Sequence, residues 1–491
     1  MFCDNGQRLG RLLIVAIAAL MGCTTTRSPS TSYSYPESSS SYQSAASPTR
    51  PAEHDPDYEI KRVAHAEVAT LESNLLFNGP THVEQLVAFA VANNPEIRAA
   101  RAKAQSRMAR IPQVRALDDP YLSTSIFLNQ IETAAGPQEA LVSISQKFPW
   151  FGKRWLRGHA AQHDAQSAYA ELANIELTVV EQVRLAYYDL YFIDEAIRVN
   201  RLLEPKLRDV IQIARTKHET GNDKVGLESV LQAEVALHKL QITLVELEQA
   251  RLKALARLAK SIHLPRGMQL DIQTQFDEDS RPPNVDLLVE MIQHCHPLLE
   301  ARRQEIMRDN TAVKLARKNY FPDFNVGFNW IDIGQRGLSP ISNGEDAYSL
   351  MIGINVPIYR EKLNSAVREA QSNVVHSAGR YDAIWDQLRT DVEMLHADAI
   401  EHDRVLAILN NQILRKAEDT LEHSIEAYRV DRIGFQQLID NYEDLLRFFI
   451  SYHMRRARRA QSIAQLERAV GCVVAQWPSD LESRLEPIPV P

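Results

Sequence analysis

Two histidines flank a cysteine at His294-Cys295-His296, and both residue types bind transition metals. The tripeptide stands at the entry to a predicted helix, where polar capping residues are expected. Neighbouring residues on a helix also point in different directions, so the three side chains would not converge on one ion. The pattern therefore favours helix capping over a metal site.

A second candidate pair is His402 with Asp398, which lies one helical turn earlier. That spacing places both side chains on one face and could hold a metal. His402, however, occupies a position in an apolar seam, where a hydrogen-bonded core histidine is favoured. The sequence predicts no metal site and no cofactor.

Other chemistry finds little support in the sequence. It contains no nucleophile elbow, metalloprotease motif or phosphate-binding loop, so we expect no enzymatic activity. The net charge of −8 also disfavours a nucleic-acid partner, because binding phosphates requires a basic face.

The first 22 residues have the features of an export signal peptide. Arg8 and Arg11 precede a short apolar run, Leu12 to Leu20, which is too short to span a bilayer as a helix of about 20 residues. Leu20-Met21-Gly22-Cys23 resembles a bacterial lipobox, which implies lipid attachment at Cys23. The alternative is an ordinary signal peptide with an incidental cysteine. Thr24, in place of an aspartate, is compatible with the outer membrane.

The segment that follows, residues 23–80, is predicted to be a tether. Its first part is rich in Ser, Thr, Pro and Tyr and cannot bury enough apolar surface to fold. Residues 478–491 are predicted to be a loose tail. Cys295 and Cys472 are too far apart in sequence to indicate a disulfide framework, and we interpret both as buried thiols.

Between the tether and the tail lies an internal duplication. Pro95 and Pro297 are 202 residues apart, as are Pro120 and Pro322, while Pro149 and Pro357 are 208 residues apart. Gly226 and Gly434 keep the spacing of 208. A constant offset through proline positions indicates two copies of one unit, at residues 81–280 and 281–477.

Each copy is predicted to run helix, strand, strand, helix, helix. The strand pairs are Pro120–Glu132 with Glu139–Phe148, and Asp323–Ile333 with Asp346–Val356. In the third strand, Phe324, Val326, Phe328 and Trp330 alternate with Asn325, Gly327 and Asn329. Aromatic residues cluster at the strand ends, as in the interfacial girdles of a membrane β-barrel; they are Tyr121, Phe148, Trp150, Phe151, Trp155, Tyr320, Phe321, Trp330, Tyr348 and Tyr359.

The predicted helices are long and amphipathic. Lys362 to Arg429 contains no proline, and its 68 residues would extend about 100 Å. Its counterpart, Lys153 to about Arg215, carries Pro205, which should bend it. Apolar residues recur at steps of four and three, the spacing of coiled coils; they are Leu388, Val392, Leu395, Ala399, His402, Leu406, Leu409 and Ile413, and Leu237, Leu240, Leu244 and Leu247 on the return helix.

Four strands cannot close a membrane barrel, which begins at about eight strands. Unpaired strand edges are not tolerated in lipid, because each unsatisfied backbone group there costs several kcal/mol. If the four strands enter a membrane, several copies of the chain must share one barrel, which requires a closed oligomer.

The duplicated units, the run FPWFGKR at Phe148–Arg154 and its partner VPIYREK at Val356–Lys362 resemble the TolC-like outer-membrane efflux protein family. The second helical tip, Tyr428 to Asp440, is also similar. The resemblance extends from Thr81 to Trp477. It implies a mainly α fold with membrane β, in which each chain adds four strands to a shared trimeric β-barrel above a coiled-coil helical barrel.

The same resemblance implies the partners and the site. The chain would be the passive outer-membrane duct of a tripartite efflux or secretion system, as a homotrimer with a periplasmic adaptor protein and an inner-membrane pump. Asp440 aligns with a carboxylate of the family's constriction, so it is the gate candidate, whereas Gln437 departs from a second aspartate. Gly221, Asn222, Asp431 and Arg432 at the tips are candidate adaptor contacts.

Two alternatives remain at the level of sequence. A non-conducting periplasmic coiled-coil lipoprotein would explain the tether and seams but not two hairpins with aromatic ends. A hydrolytic enzyme would need convergent catalytic groups. The fifteen histidines are scattered, so they do not favour metal ions over drugs or other small molecules as cargo.

Overall fold

A computed structural model describes residues 78–219, 227–264, 270–274, 282–335 and 343–472, all of which belong to one compact unit, Glu67–Pro491. The predicted signal peptide, the predicted lipid-attachment residue Cys23 and the predicted C-terminal tail lie outside the described residues, as do Gly221 and Asn222 at the first tip.

The first copy of the unit begins with two short elements and continues into long helices. Strand β1 is Asn78–Thr81, helix α1 is Val83–Asn93 and α2 is Pro95–Arg115. Strands β2 (Tyr121–Thr133) and β3 (Gly136–Phe148) form a hairpin, followed by α3 (Lys153–Glu219) and α4 (Leu227–Ser261). Strand β1 begins three residues inside the predicted tether, because its backbone pairs with a strand that the sequence pattern did not reveal.

The second copy follows the same order. After β4 (Asp271–Thr274) come α5 (Val285–Cys295), α6 (Pro297–Lys318), β5 (Phe324–Ile333) and β6 (Ala347–Ile354). Helix α7 (Arg360–Ile408) leads through a π-helical turn at Leu409–Ile413 into α8 (Leu414–Arg429), and α9 (Phe435–Val470) returns. The repeated order confirms the predicted succession of helices and strands, while the exact boundaries of the two copies remain a prediction.

Equivalent helices in the two copies begin at equivalent caps. The Asn94 side chain accepts hydrogen bonds from the backbone N–H groups of Glu96 and Ile97 at 2.7 and 3.2 Å. His296, 202 residues later, accepts one from Leu298 at 3.1 Å. A proline follows each cap, where its missing N–H costs nothing. The first duplicated pair, Pro95 and Pro297, therefore stands at helix N-termini, as predicted.

Four strands form one antiparallel sheet in the order β2-β3-β5-β6, and β1 pairs with β4 in a separate parallel pair. The hairpins meet where β3 pairs with β5, with Phe148 opposite Phe324. The helices pack around three main apolar clusters. One joins α1, α3 and α4, one joins α5, α7 and α9, and one holds the tip halves of α3, α4, α8 and α9 together.

Helix α3 continues through Pro205, so the proline does not end it. On the other long helix the seam is buried as predicted at Val392 and Ala399, but Leu414 is buried in place of the predicted Ile413. The π-helical turn adds one residue there and moves the seam by one position. None of the described helices is both apolar enough and long enough to cross a bilayer.

Candidate functional site: a two-faced sheet and a helical tip

One face of the four-stranded sheet is apolar and open. The strand register places Leu122, Ile144, Phe328 and Leu350 in one row across all four strands. Their exposed fractions are 60%, 44%, 44% and 69%. Phe324, Val326 and Phe328 lie on this same face, which confirms the predicted alternation of β5. An apolar face of this size on the protein surface indicates a contact with lipid or another apolar surface.

The opposite face carries a central row of small polar side chains, with Leu141, Ile331 and Met351 in the rows beside it. Ser123, Ser143, Asn329 and Ser349 form the next row across the same four strands. The Asn329 amide Nδ2 donates to the Ser349 hydroxyl at 3.0 Å. Gly327 also lies on this face, between Ser145 and Met351. A sheet with one apolar face and a row of small polar side chains on the other can form the wall of a membrane barrel, between lipid and water.

The two outer strands of the sheet each have one open edge. Within the described residues, β2 pairs on one side only, with β3, and β6 pairs on one side only, with β5. The edges also carry exposed apolar side chains, such as Ile126 at 74% and Ile352 at 69%. Edges of this kind are templates for pairing with another strand.

The FPWFGKR segment joins the sheet to the helices. The Lys153 ammonium is buried and donates to Asp323 Oδ1 at 2.7 Å and to the Phe321 carbonyl at 3.0 Å. The Trp150 backbone N–H donates to the same Asp323 oxygen at 2.9 Å. Partial burial alone would raise the pKa of Asp323, but Lys153 and the Trp150 amide outweigh it and hold the pKa below its usual value. The start of α3 is thereby tied to the start of β5.

The predicted aromatic girdle is present in part. Tyr121, Phe151, Trp155 and Tyr359 are 60 to 75% exposed near the ends of the strands. Trp150 differs, because its ring stacks between Phe321 and Phe324 with ring centres 5.2 and 5.5 Å away. Phe321 and Phe324 lie at the start of the second hairpin, so Trp150 packs between the two hairpins. The pattern of one hairpin alone could not predict this contact.

At the tip, α3 is tied to the turn between α8 and α9. The Lys217 ammonium binds Asp431 Oδ1 at 2.5 Å, contacts the Tyr428 carbonyl and lies 4.6 Å from the centre of the Tyr428 ring. Asp431 has a left-handed backbone with φ of 60°. The Asp431 carboxylate is bonded to Lys217 of the same chain, whereas the Arg432 side chain is exposed. As adaptor contacts, both residues remain predictions.

Asp440, the gate candidate, lies on the second turn of α9 and is exposed. Gln436, one turn earlier, donates from Nε2 to its Oδ1 at 2.8 Å. Gln437 is also exposed. The carboxylate is therefore accessible to solvent in a single chain and available to other copies.

The interpretation of Cys295 and Cys472 as separate thiols is wrong. The two residues form a disulfide with Cα atoms 5.9 Å apart. The fold brings them together because Gly471, which ends α9 with φ of 89°, packs directly against the backbone of His296. A Cβ on Gly471 would lie 2.6 Å from the His296 Cα. A separation of 177 residues concealed this contact.

His296 is a buried cap, as predicted, and burial together with nearby Arg468 lowers its pKa to about 4. His402 lies beside an arginine, with its Nδ1 3.1 Å from Arg455 Nη1. Burial and Arg455 lower the pKa of His402. Across the described ranges, no three His, Cys, Asp or Glu side chains are arranged to hold a metal ion.

Residues 86–262 match the family model described as outer membrane efflux protein. The cobalt-zinc-cadmium resistance protein CzcC of Cupriavidus metallidurans is 23% identical over 382 residues, which cover 75% of this chain and 83% of that protein. The pyoverdine export outer membrane protein OpmQ of Pseudomonas aeruginosa is 22% identical over 84% of each chain. The structure of the outer-membrane channel OprN superimposes with a TM-score of 0.68 at 15% identity, covering 79% of this chain and 89% of that one. Residues 86–262 are therefore similar to the outer membrane efflux protein family, and the chain has the fold of these TolC-like channels.

Proposed function

We propose that this chain is the outer-membrane channel of a tripartite efflux or secretion system. The observation that carries the proposal is the sheet. One of its faces is apolar, the other carries a row of small polar side chains, and each outer strand has one neighbouring strand in the described residues. Such a sheet is stable in lipid only when its edges are closed by further strands. Three copies would supply twelve strands, and the polar face would line the pore.

A second surface supports assembly from identical copies. Helix α4 buries Leu240 against its own chain but leaves an apolar line exposed on another side. The members of this line are 51 to 60% exposed, and from Leu231 onwards they are separated by three, four or seven residues, the spacing of coiled coils; they are Leu227, Leu231, Val235, Ile242, Val245 and Leu252. In the trimer we expect this line to pack on a helix of the next copy.

The helices below the sheet provide the rest of the duct. Helix α3 has 67 residues, which corresponds to about 100 Å, enough to extend far into the periplasm. The tips would meet a periplasmic adaptor protein and, through it, an inner-membrane pump that supplies the energy. Conduction through the chain itself would be passive, and we assign it no catalytic step. Lipid attachment at Cys23 would anchor each copy in the outer membrane.

The non-conducting spacer explains this sheet less well. A coiled-coil lipoprotein would need neither an apolar row exposed across four strands nor a polar row behind it. The two-faced sheet therefore favours a channel.

Asp440 is the proposed selectivity residue at the tip. Three symmetry-related carboxylates near one axis would attract cations and repel anions. The test is ion selectivity in planar bilayers, with Asp419→Asn, an exposed carboxylate on α8, as the control. We expect Asp440→Asn to reduce cation preference and Asp419→Asn to leave it unchanged. Unchanged selectivity in Asp440→Asn would remove Asp440 from the gate, and purified wild-type protein that carries no current would refute the channel.

A further inference from the structure

The two ends of the four-stranded sheet carry opposite charge. The segments that join the strands to the helices contain nine lysines and arginines against four aspartates and glutamates, although the whole chain has a net charge of −8; these segments are residues 115–121, 147–157, 317–323 and 355–362. The described hairpin ends, residues 131–140, 331–335 and 343–347, contain five carboxylates and no lysine or arginine. The helix-side end of the sheet is therefore positive.

Positive charge recurs at equivalent positions of the two copies. Arg115 and Arg317, on the helices that precede the hairpins, are 202 residues apart. Arg154 and Lys362, on the helices that follow the hairpins, are 208 residues apart. Both separations are offsets of the duplication. We call these four residues the basic belt, in which each copy keeps the charge even where the side chain differs.

Exposed aromatic rings accompany the basic belt in both copies. Phe151 and Tyr359 are also 208 residues apart and are 75% and 74% exposed. Trp155 is 60% exposed and Ile358 is 65% exposed. Aromatic side chains of this kind are enriched where the hydrocarbon of a bilayer meets its headgroups. A ligand of this surface must therefore combine a negative group with an apolar part.

The length of the strands places the basic belt at the surface of a bilayer. Strand β5 has 10 residues, and a strand of about 9–11 residues spans the hydrocarbon of a bilayer. Each belt residue lies six to eight residues beyond the nearest strand end. When the sheet crosses the membrane, the belt is therefore at the level of the headgroups.

In the first copy the belt cations are held by neutral groups. Arg154 donates from Nε and Nη2 to the Arg115 carbonyl at 2.8 and 2.5 Å. The Arg115 side chain lies against Gly158, where a Cβ would be 2.2 Å from its Nε. Its Nη2 is 3.5 Å from the Gln162 amide oxygen. These contacts position both guanidinium groups without neutralising them.

The second copy shows the same absence of counter-charge. Arg317 and Lys362 are exposed. Next to them, the Lys318 ammonium lies 5.4 Å from the centre of the Phe321 ring, and the Arg360 guanidinium 5.7 Å from that of Tyr320. Across the described residues, no carboxylate lies within ion-pair distance of any of the four belt cations.

We propose that the basic belt binds the phosphate groups of anionic phospholipids in the leaflet that faces the helices. Guanidinium groups match phosphate oxygens in geometry, and lysine adds a compact charge. The exposed rings beside the belt would contact the acyl chains of the same lipids. This inference rests on the proposed channel function, because the belt meets headgroups only when the sheet crosses a membrane.

The test compares two variants with the same change in charge. The belt variant combines Arg115→Gln, Arg317→Gln and Lys362→Gln, and it keeps Arg154, whose hydrogen bonds join α2 to α3. The control variant combines Arg404→Gln, Arg415→Gln and Lys416→Gln. These three cations are exposed and lie on α7 and α8, more than 40 residues beyond Arg360.

The readout is the lipid that each full-length protein retains. Wild type and variants are inserted into phosphatidylcholine vesicles that contain a minor share of phosphatidylglycerol, extracted in mild detergent and analysed for bound lipid. Wild type and control should retain phosphatidylglycerol at roughly five times its share in the vesicle, since a basic residue near an anionic surface contributes a factor of roughly five. The belt variant should retain it near its share.

The outcomes separate the belt from the channel. Equal retention of phosphatidylglycerol by the belt variant and the wild type would overturn the proposal, even if the belt variant formed fewer oligomers, since the cations would then serve contacts between copies. Wild-type protein that does not enter the vesicles would refute the channel function and the belt with it.

The wild-type protein alone decides the matter if the belt variant does not assemble. High salt screens charges at a surface, so the preference for phosphatidylglycerol should weaken when extraction is done at high salt. A preference that does not change with salt, or no preference at low salt, would contradict binding by the basic belt.

Discussion

Lys153 is a single side chain that holds two parts of the chain together. Its side chain is 5% exposed and that of Asp323 is 12% exposed. Lys153→Met would leave the Asp323 carboxylate with only the more distant Lys147 ammonium, at 3.8 Å, and removing one partner of a buried pair costs about 3–5 kcal/mol. We expect a lower melting temperature and loss of the assembled oligomer.

Lys103→Met is the control for this prediction, because Lys103 pairs with Glu171 at 2.8 Å but is 57% exposed. Exposed pairs contribute about 1 kcal/mol or less. Equal melting temperatures of Lys153→Met and wild type would show that the junction is not held by this pair.

His296 makes stability depend on pH. Its pKa is lowered to about 4 in the folded chain, against an ordinary value of 6.5, so the unfolded chain binds the proton more tightly. The stability contributed by neutral His296 is therefore complete above about pH 6.5 and is lost as pH falls from there towards 4. Protonation would also abolish the acceptor for the Leu298 N–H.

The test replaces His296 by the residue that caps the equivalent helix in the first copy. His296→Asn installs the cap that the first copy uses at Asn94, and asparagine does not titrate. We expect the melting temperature of this variant to fall less than that of wild type between pH 7 and pH 4.5. Identical pH profiles would exclude His296 as the titrating group.

At the scale of elements, the two faces of the sheet make opposite predictions for adjacent residues. Leu350 lies on the apolar face and Ser349 on the polar one. Leu350→Arg should destabilise the membrane-inserted oligomer by about 2–4 kcal/mol, while Ser349→Arg should cost much less because it faces water. Thermal dissociation on detergent gels measures both. An equal cost for both variants would mean that the faces are wrongly assigned.

Local patterns predicted the elements more fully than the contacts between them. The alternation in β5 and the repeated prolines were sufficient for the strands and for the helix N-termini, because strand faces and caps depend on neighbouring residues. The pairing of β3 with β5, which joins the two hairpins into one sheet, was not predicted. The β1–β4 pair, the Cys295–Cys472 disulfide and the Lys217–Asp431 contact join residues 177 or more positions apart. No short-range periodicity encodes such contacts. The π-helical turn was also missed, since a one-residue shift in a seam is small against a seven-residue repeat.

At the scale of the whole molecule, the proposed channel requires that several copies close one ring. The described part of one chain provides a four-stranded sheet with two outer edges, and the exposed line on α4 requires a partner along much of the helix. The outer strands and the exposed line on α4 both gain partners when identical copies surround a common axis, as cyclic symmetry allows. The tip and the gate candidate act on cargo only if that axis is a pore.

The most direct measurement is therefore the number of chains in one detergent-solubilised particle, determined by native mass spectrometry of the mature protein. A barrel shared by three copies predicts three chains per particle and precipitation when the detergent is removed. A monomer that stays dissolved without detergent would contradict it, because the strand edges and the apolar face would then have no partner.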